Sequence, residues 1–221
     1  MRTLDVVSDV ICPWCWIGRA HMHAALARLA EEGLRFRIRW RPFQLNPDMP
    51  PEGIARAAYR ARKFGSPERA RELDAQVAEA GRAAGLEFRF ARMLQTPSTL
   101  AAHRTLRMAG EAEADLPGLQ DAVAGALFAA YFHDGEDIGD AAVLDRVAAA
   151  AGLAGVGAML AGEAQREAVL AEDPAARRGG ISGVPSFLMD RHLLFSGALP
   201  AARMAEAFRR ADEILTGREA A

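Results

Sequence analysis

Leu4, Val6, Val7 and Val10 form a short apolar, β-branched segment at the start of the chain, which predicts a strand. From Trp16 to Glu32 the pattern becomes helical: Cys15, Met22, Leu26 and Leu29 recur close to one face, and Gly33 stands where such a helix would end. Leu34, Phe36, Ile38 and Trp40 then alternate strictly with Arg35, Arg37, Arg39 and Arg41 until Pro42, the period of a strand with one buried and one solvated face. Arginines along the solvated face would guard an edge strand against unwanted pairing. The three segments compose a β-α-β unit of ~30 residues or slightly more.

From Pro50 to Arg178 the pattern turns helical and shows no strong strand, with Pro67, Gly85, Pro97, Pro117, Gly135 and Gly152 as punctuation. Ser66 before Pro67 resembles a helix start, Ser98 is placed to cap a helix through Met108, and Asp140 to cap Ala141 to Ala151. Beyond Gly179 and Gly180, β character returns in Ser186 to Met189 and Leu193 to Phe195, joined by Asp190, Arg191 and His192 as a hairpin. Pro200 to Leu215 reads as a terminal amphipathic helix with Met204, Ala207, Phe208, Ala211 and Leu215 on one side. The order β-α-β, helical insertion, β-β-α predicts an α/β fold. Residues 1–45 and 179–221 would make a discontinuous domain around a helical insertion at 46–178.

Composition narrows the function classes. The chain has 221 residues, 51% hydrophobic and 25% charged, with a net charge of −2. It is long enough to bury a core without disulfide staples. Arginine is abundant and Lys63 is the lone lysine, but acidic residues balance the arginines, so no nucleic-acid surface is expected. The first apolar stretch contains Asp5 and is too short for a signal peptide, and no stretch suits a membrane span. A cytoplasmic protein with no membrane partner is expected; no coiled-coil repeat is present, and oligomeric state stays open.

Both cysteines fall in Cys12-Pro13-Trp14-Cys15, directly after the first strand and at the start of the first helix. In a reducing compartment a disulfide between them would be transient, as catalysis requires. A thiolate is the attacking species in disulfide exchange, and a helix N-terminus with free N–H groups favours that anion. Cys12 is therefore the expected nucleophile, with Pro13 fitted to the first turn, and Cys15, one turn later and inward, the expected resolving thiol. Trp14 brings no charge between them, so reductase, isomerase and oxidase directions all stay open. Zinc would need two more ligands, and His21 and His23 diverge on the helix, so no metal or organic cofactor is expected.

A second motif, Gly183-Val184-Pro185-Ser186-Phe187, precedes the hairpin. Together with Cys-Pro-Trp-Cys after a first strand and the intervening helices, it resembles the DsbA-like thioredoxin superfamily, in particular its FrnE-type members. Ser8-Asp9-Val10, Trp16-Ile17-Gly18, Ala102-His103-Arg104, Tyr131-Phe132 and Gly197-Ala198 extend the resemblance over essentially the whole chain. Ser98 and Leu199 depart from it, since Asn and Gln are common there. The resemblance implies a thioredoxin fold with a helical insertion, a cis Val184–Pro185 peptide opposite Cys12, and substrate contacts from Pro13, Trp14, Val184 and Pro185. The implied partners are protein, peptide or small-molecule thiols and disulfides, glutathione among them. The same superfamily holds 2-hydroxychromene-2-carboxylate isomerases and kappa-class glutathione transferases, which generally lack the two-cysteine motif. A glutathione-dependent isomerase or transferase, or a redox-sensing binding protein, are thus the alternatives.

Other polar residues carry weaker expectations. The insertion should wall a cleft whose apolar residues select substrate. Trp14 should be exposed, while Trp16 could be either exposed or packed. Asp5 and Asp9 could relay the Cys15 proton, with a turn or cap role favoured for Asp9, and His103 and His133 read as packing or hydrogen-bonding residues. The acidic run Asp134 to Asp140 reads as a solvated turn and helix cap.

Overall fold

The computed structural model describes residues 1–219. β1 (Arg2–Ser8), α1 (Pro13–Glu31) and β2 (Phe36–Pro42) form the opening unit, with β1 and β2 parallel and Leu4 opposite Ile38, Val6 opposite Trp40. β1 is central and buried from Leu4 to Ser8, whereas β2 is an edge and keeps its alternation: Phe36 and Ile38 are half-buried and Trp40 buried. Its arginine face is solvated at Arg35, Arg37 and Arg39, as the alternation predicts, and half-buried at Arg41. Arg39 holds the buried Asp5 of β1 through two bonds of 2.5 and 2.9 Å, which raises the guanidinium's affinity for its proton, and Arg41 reaches Glu172.

The chain continues through β3 (Ile54–Ala55), α2 (Arg56–Phe64), α3 (Pro67–Ala83), β4 (Gln95–Thr96), α4 (Leu100–Glu111) and α5 (Leu119–Ala129). α5 runs into a π-helical turn over Ala130–Asp134, followed by α6 (Ala141–Ala150), α7 (Val156–Ala161) and α8 (Arg166–Arg178). The antiparallel pair of β3 and β4 departs from the all-helical expectation; two residues a side are too few to show a strand period. Ser66 and Asp140 cap α3 and α6 through their side chains as expected. Thr99, not Ser98, stands before α4, and it makes no side-chain cap.

β5 (Ser186–Met189) and β6 (His192–Ser196) form the hairpin, and α9 (Ala201–Glu219) closes the described chain. Asp190 and Arg191 both have positive φ, 47° and 68°, as a two-residue turn matched to strand twist requires. β5 pairs antiparallel with β1, giving the sheet order β2-β1-β5-β6. The sheet and the helices between β2 and β5 make an α/β thioredoxin fold with a helical insertion. α1 and α9 pack together against the sheet, where Phe187, Phe195 and Phe208 stack with centroids 4.9 to 6.1 Å apart. Trp16 of α1 is buried and packs against Phe88 at 4.8 Å and Phe132 at 5.8 Å, so one aromatic cluster ties α1 to the insertion.

Candidate active site

Cys12 is the N-cap residue of α1, extended at φ −90° and ψ 113°, and Pro13 occupies the first turn, where a missing N–H costs nothing. The local fold follows from the turn: Cys12 N–H donates to the Asp9 carbonyl and Cys15 N–H to the Cys12 carbonyl, each at 3.0 Å. Both cysteines are free thiols. Trp14 is 43% exposed, so the motif's outer face is open even though Cys12 itself is buried.

Opposite Cys12 lies the turn before β5. The Val184–Pro185 peptide is cis, and the Cys12 thiol donates to the Val184 carbonyl at 3.7 Å. Ser186 Oγ donates to the Gly183 carbonyl at 2.7 Å and meets Ser196 Oγ at 2.6 Å, while Gly197 N–H donates to the Pro185 carbonyl at 2.7 Å. These bonds fix the turn to the hairpin. Gly18 lets α1 approach it: a Cβ there would sit 3.0 Å from Pro185 Cγ. Pro13, Trp14, Val184 and Pro185 thus all border or face Cys12.

Cys15 is almost fully shielded from solvent. Burial, and then the neighbouring Cys12, pushes its thiol well above the ordinary range; the Ser8 hydroxyl and the Asp9 backbone amide work the other way and favour its anion. Asp9 is completely buried, and its carboxylate accepts from the Leu45 N–H at 2.7 Å, tying the active turn to the segment after β2. His103 of α4 approaches it, with Nε2 3.4 Å from Asp9 Oδ1. Asp9 has the turn role the sequence favours, since its carbonyl closes the active turn, and its carboxylate reaches beyond that turn. Asp5 does not share this cluster; it is held by Arg39.

A cleft of about 270 Å³ opens beside Cys12, lined by Trp14, Tyr59, Arg60, Lys63, Met93 and Tyr131 among others. Its wall is largely apolar, as expected, with Ile11, Leu45, Phe90 and Phe132 also lining it, and α2 adds a charged face. Arg56 and Arg60 both reach Asp74, Lys63 Nζ donates to Tyr59 Oη at 2.7 Å, and Tyr59 donates to Asn46 Oδ1. Three cations therefore meet one carboxylate among the lining residues, and the buried Nε of Arg60 has no partner. Arg56, Tyr59, Arg60 and Lys63 recur three or four positions apart on α2, a face the sequence displays once α2 is recognised as a helix.

The histidines next to the motif turn elsewhere. His21 Nδ1 meets the Leu199 carbonyl at 2.9 Å, and His23 Nε2 meets Asp121 at 2.9 Å. His133 lies on the surface between Asp134 and Glu87. Among the described residues no group of three or more His, Cys, Asp or Glu side chains could hold a metal ion, and no helix is long and apolar enough to cross a membrane.

Comparison with known proteins identifies the domain. The DSBA-like thioredoxin domain matches residues 3–209. A solved structure named probable DsbA oxidoreductase SCO1869, from Streptomyces coelicolor, superposes with a TM-score of 0.84 at 30% identity, covering 96% of this chain and 90% of that one. The cytosolic disulfide reductase DsbM of Pseudomonas aeruginosa, solved with GSH, shares the fold at 22% identity and a TM-score of 0.60, covering 98% and 99%. Among curated proteins, the uncharacterized protein YwbO of Bacillus subtilis is 24% identical over 192 residues, 84% of this chain and 86% of that protein. With a matching domain over most of its length and its paired cysteines at the strand-to-helix turn, the chain belongs to the DSBA-like thioredoxin domain family.

Proposed function

We propose that the protein is a thiol–disulfide oxidoreductase that exchanges disulfides through Cys12 as nucleophile and Cys15 as resolving thiol. The observation that carries this reading is the position of Cys12: a thiol at a helix N-terminus, within 3.7 Å of a turn carbonyl and one helical turn from a second thiol. Attack by the Cys12 thiolate on a substrate disulfide forms a mixed disulfide and expels one thiolate; attack by Cys15 on Cys12 releases the other and leaves Cys12–Cys15 oxidised. Running the same steps backward oxidises a dithiol. Val184 and Pro185 would align the substrate, and Trp14 would cover its apolar part.

The cleft supports a finer assignment. Three cations against one carboxylate favour small thiols or disulfides that carry carboxylates, glutathione among them, and the open face at Trp14 also admits a protein or peptide strand. In this reading residues 46–178 act as a substrate-selecting insertion on a thioredoxin domain made by 1–45 and 179–221. A cytoplasmic location suits a protein whose two thiols are both assigned to chemistry and none to a structural bridge.

The test is insulin reduction and refolding of a scrambled disulfide substrate, with Cys12→Ser as control. Turnover that falls to background in Cys12→Ser is expected. Glutathione-dependent turnover of an isomerase substrate that survives Cys12→Ser would replace this reading with the isomerase or transferase alternative.

A further inference from the structure

The two edges of the sheet are built differently. β2 carries arginines at its exposed positions, the usual guard of an edge, whereas β6 carries Leu193 and Leu194, with Leu193 47% exposed. α9, packed beside β6, also holds more apolar side chains than its core face uses: Met204 and Phe208 are fully buried, but Ile214 is 47% exposed and Leu215 half-buried. Leu193, Leu194, Ile214 and Leu215 line a groove of about 340 Å³ between the two elements, within the ~300–1,000 Å³ of small-ligand sites.

Charge in the groove is of one sign. Arg210 and Arg218 border it ~12 Å apart along α9, His192 stands at the start of β6, and among the described residues no carboxylate lines it. The carboxylates nearby in sequence are engaged elsewhere: Asp190 and Asp212 both bind Arg2, and Glu213 acts on Arg209, which is bonded to Glu32. Arg210 and Arg218 make no hydrogen bond or ion pair among the described residues. The cleft beside Cys12 is the reverse case, since Arg56 and Arg60 already share Asp74 and Lys63 is bonded to Tyr59.

We propose that this groove binds a free aliphatic carboxylate, a fatty acid of medium chain length, with its chain along Leu193, Ile214 and Leu215 and its carboxylate on the bordering arginines. The apolar lining takes the chain out of water, and an unpartnered guanidinium offers the carboxylate a charge-assisted, bidentate bond. A second copy docked antiparallel through α9 would bring Arg210 of each chain toward Arg218 of the other, and like charges disfavour it. A bilayer calls for a broad apolar face, whereas this groove exposes two large apolar side chains, enough for one alkyl chain. The groove shares no lining residue with the cleft beside Cys12, so the site stands apart from the exchange reading.

Isothermal titration calorimetry of the reduced protein with sodium laurate, below its micelle concentration, tests this. One laurate per chain is expected, with affinity at least about tenfold weaker in Arg210→Gln with Arg218→Gln, the scale of lost bonds between charged groups. Leu193→Gln with Ile214→Gln should weaken it similarly, and dodecyltrimethylammonium, the same chain with the opposite charge, should bind wild type at least about tenfold more weakly than laurate. Arg60→Gln with Lys63→Gln, in the cleft, should bind laurate as wild type does. Circular dichroism checks folding, and all four groove substitutions fall on partly or fully exposed side chains. Laurate binding that the folded groove variants leave intact, or that is lost in the cleft variant instead, would overturn the proposal. So would a protein that ignores laurate but sediments as a dimer dissociated by Leu193→Gln with Ile214→Gln, or that ignores laurate but binds phosphatidylglycerol vesicles.

Discussion

The two sulfurs of the site live in opposite surroundings three residues apart. Cys12 faces outward onto an exposed tryptophan, a turn carbonyl at 3.7 Å and a cleft walled by Arg56, Arg60 and Lys63. Cys15 faces inward onto Ser8, Asp9 and the core, and burial holds its proton on. The front is thus open to a substrate and the back is closed to water. One helical turn of α1 is enough to divide them, because successive turns of a helix that enters a domain pass from surface to interior.

The division can be broken at the front. Arg60→Gln with Lys63→Gln removes two cations from the cleft, and hydrogen bonds to charged groups are worth ~1.5–3 kcal/mol. The double variant is expected to raise KM for glutathione disulfide at least about tenfold with kcat little changed, and to leave KM for an uncharged disulfide such as bis(2-hydroxyethyl) disulfide near wild type. Steady-state kinetics on both substrates checks this. An equal rise for both would mean that α2 shapes the cleft without reading charge.

A smaller effect sharpens the comparison from a region outside both surroundings. Asp121 of α5 binds Arg19 and His23 of α1 and accepts from the Trp40 indole, docking the helix that carries both cysteines. Burial works to raise its carboxyl, but His23 and Arg19 outweigh burial and hold it below the ordinary carboxylate value. A lowered folded value means that its stabilisation is complete above the unfolded carboxylate range, ~3.9, and is lost as pH falls through the folded value. Asp121→Asn should therefore lower stability by ~1–3 kcal/mol at pH 7, and the difference should shrink in acid, as denaturant unfolding at several pH values would show. The rate of disulfide exchange should be unchanged.

Much of this was legible in the sequence, and the parts that were not share a cause. The cysteine pair at a strand-to-helix junction, the edge strand of alternating arginines, the hairpin and the caps at Ser66 and Asp140 are local patterns, written within a few residues. The Asp9–His103 approach, the stack of Trp16 on Phe132 and the pairing of β3 with β4 join segments far apart in the chain, and nothing near either partner announces the other. The cationic cleft is intermediate. Lys63 stood out as the lone lysine and its face is helical in spacing, but its nearness to Cys12 depends on how α2 folds over the active turn.

The central claim, that Cys12 attacks and Cys15 resolves, is tested most directly by intact-mass analysis of Cys15→Ser after incubation with glutathione disulfide. The account expects one glutathione on Cys12 that persists until an external thiol is added, no such adduct in Cys12→Ser with Cys15→Ser, and wild type that passes quickly to the Cys12–Cys15 disulfide. A Cys15→Ser protein that takes up no glutathione, or releases it as fast as wild type does, would contradict it.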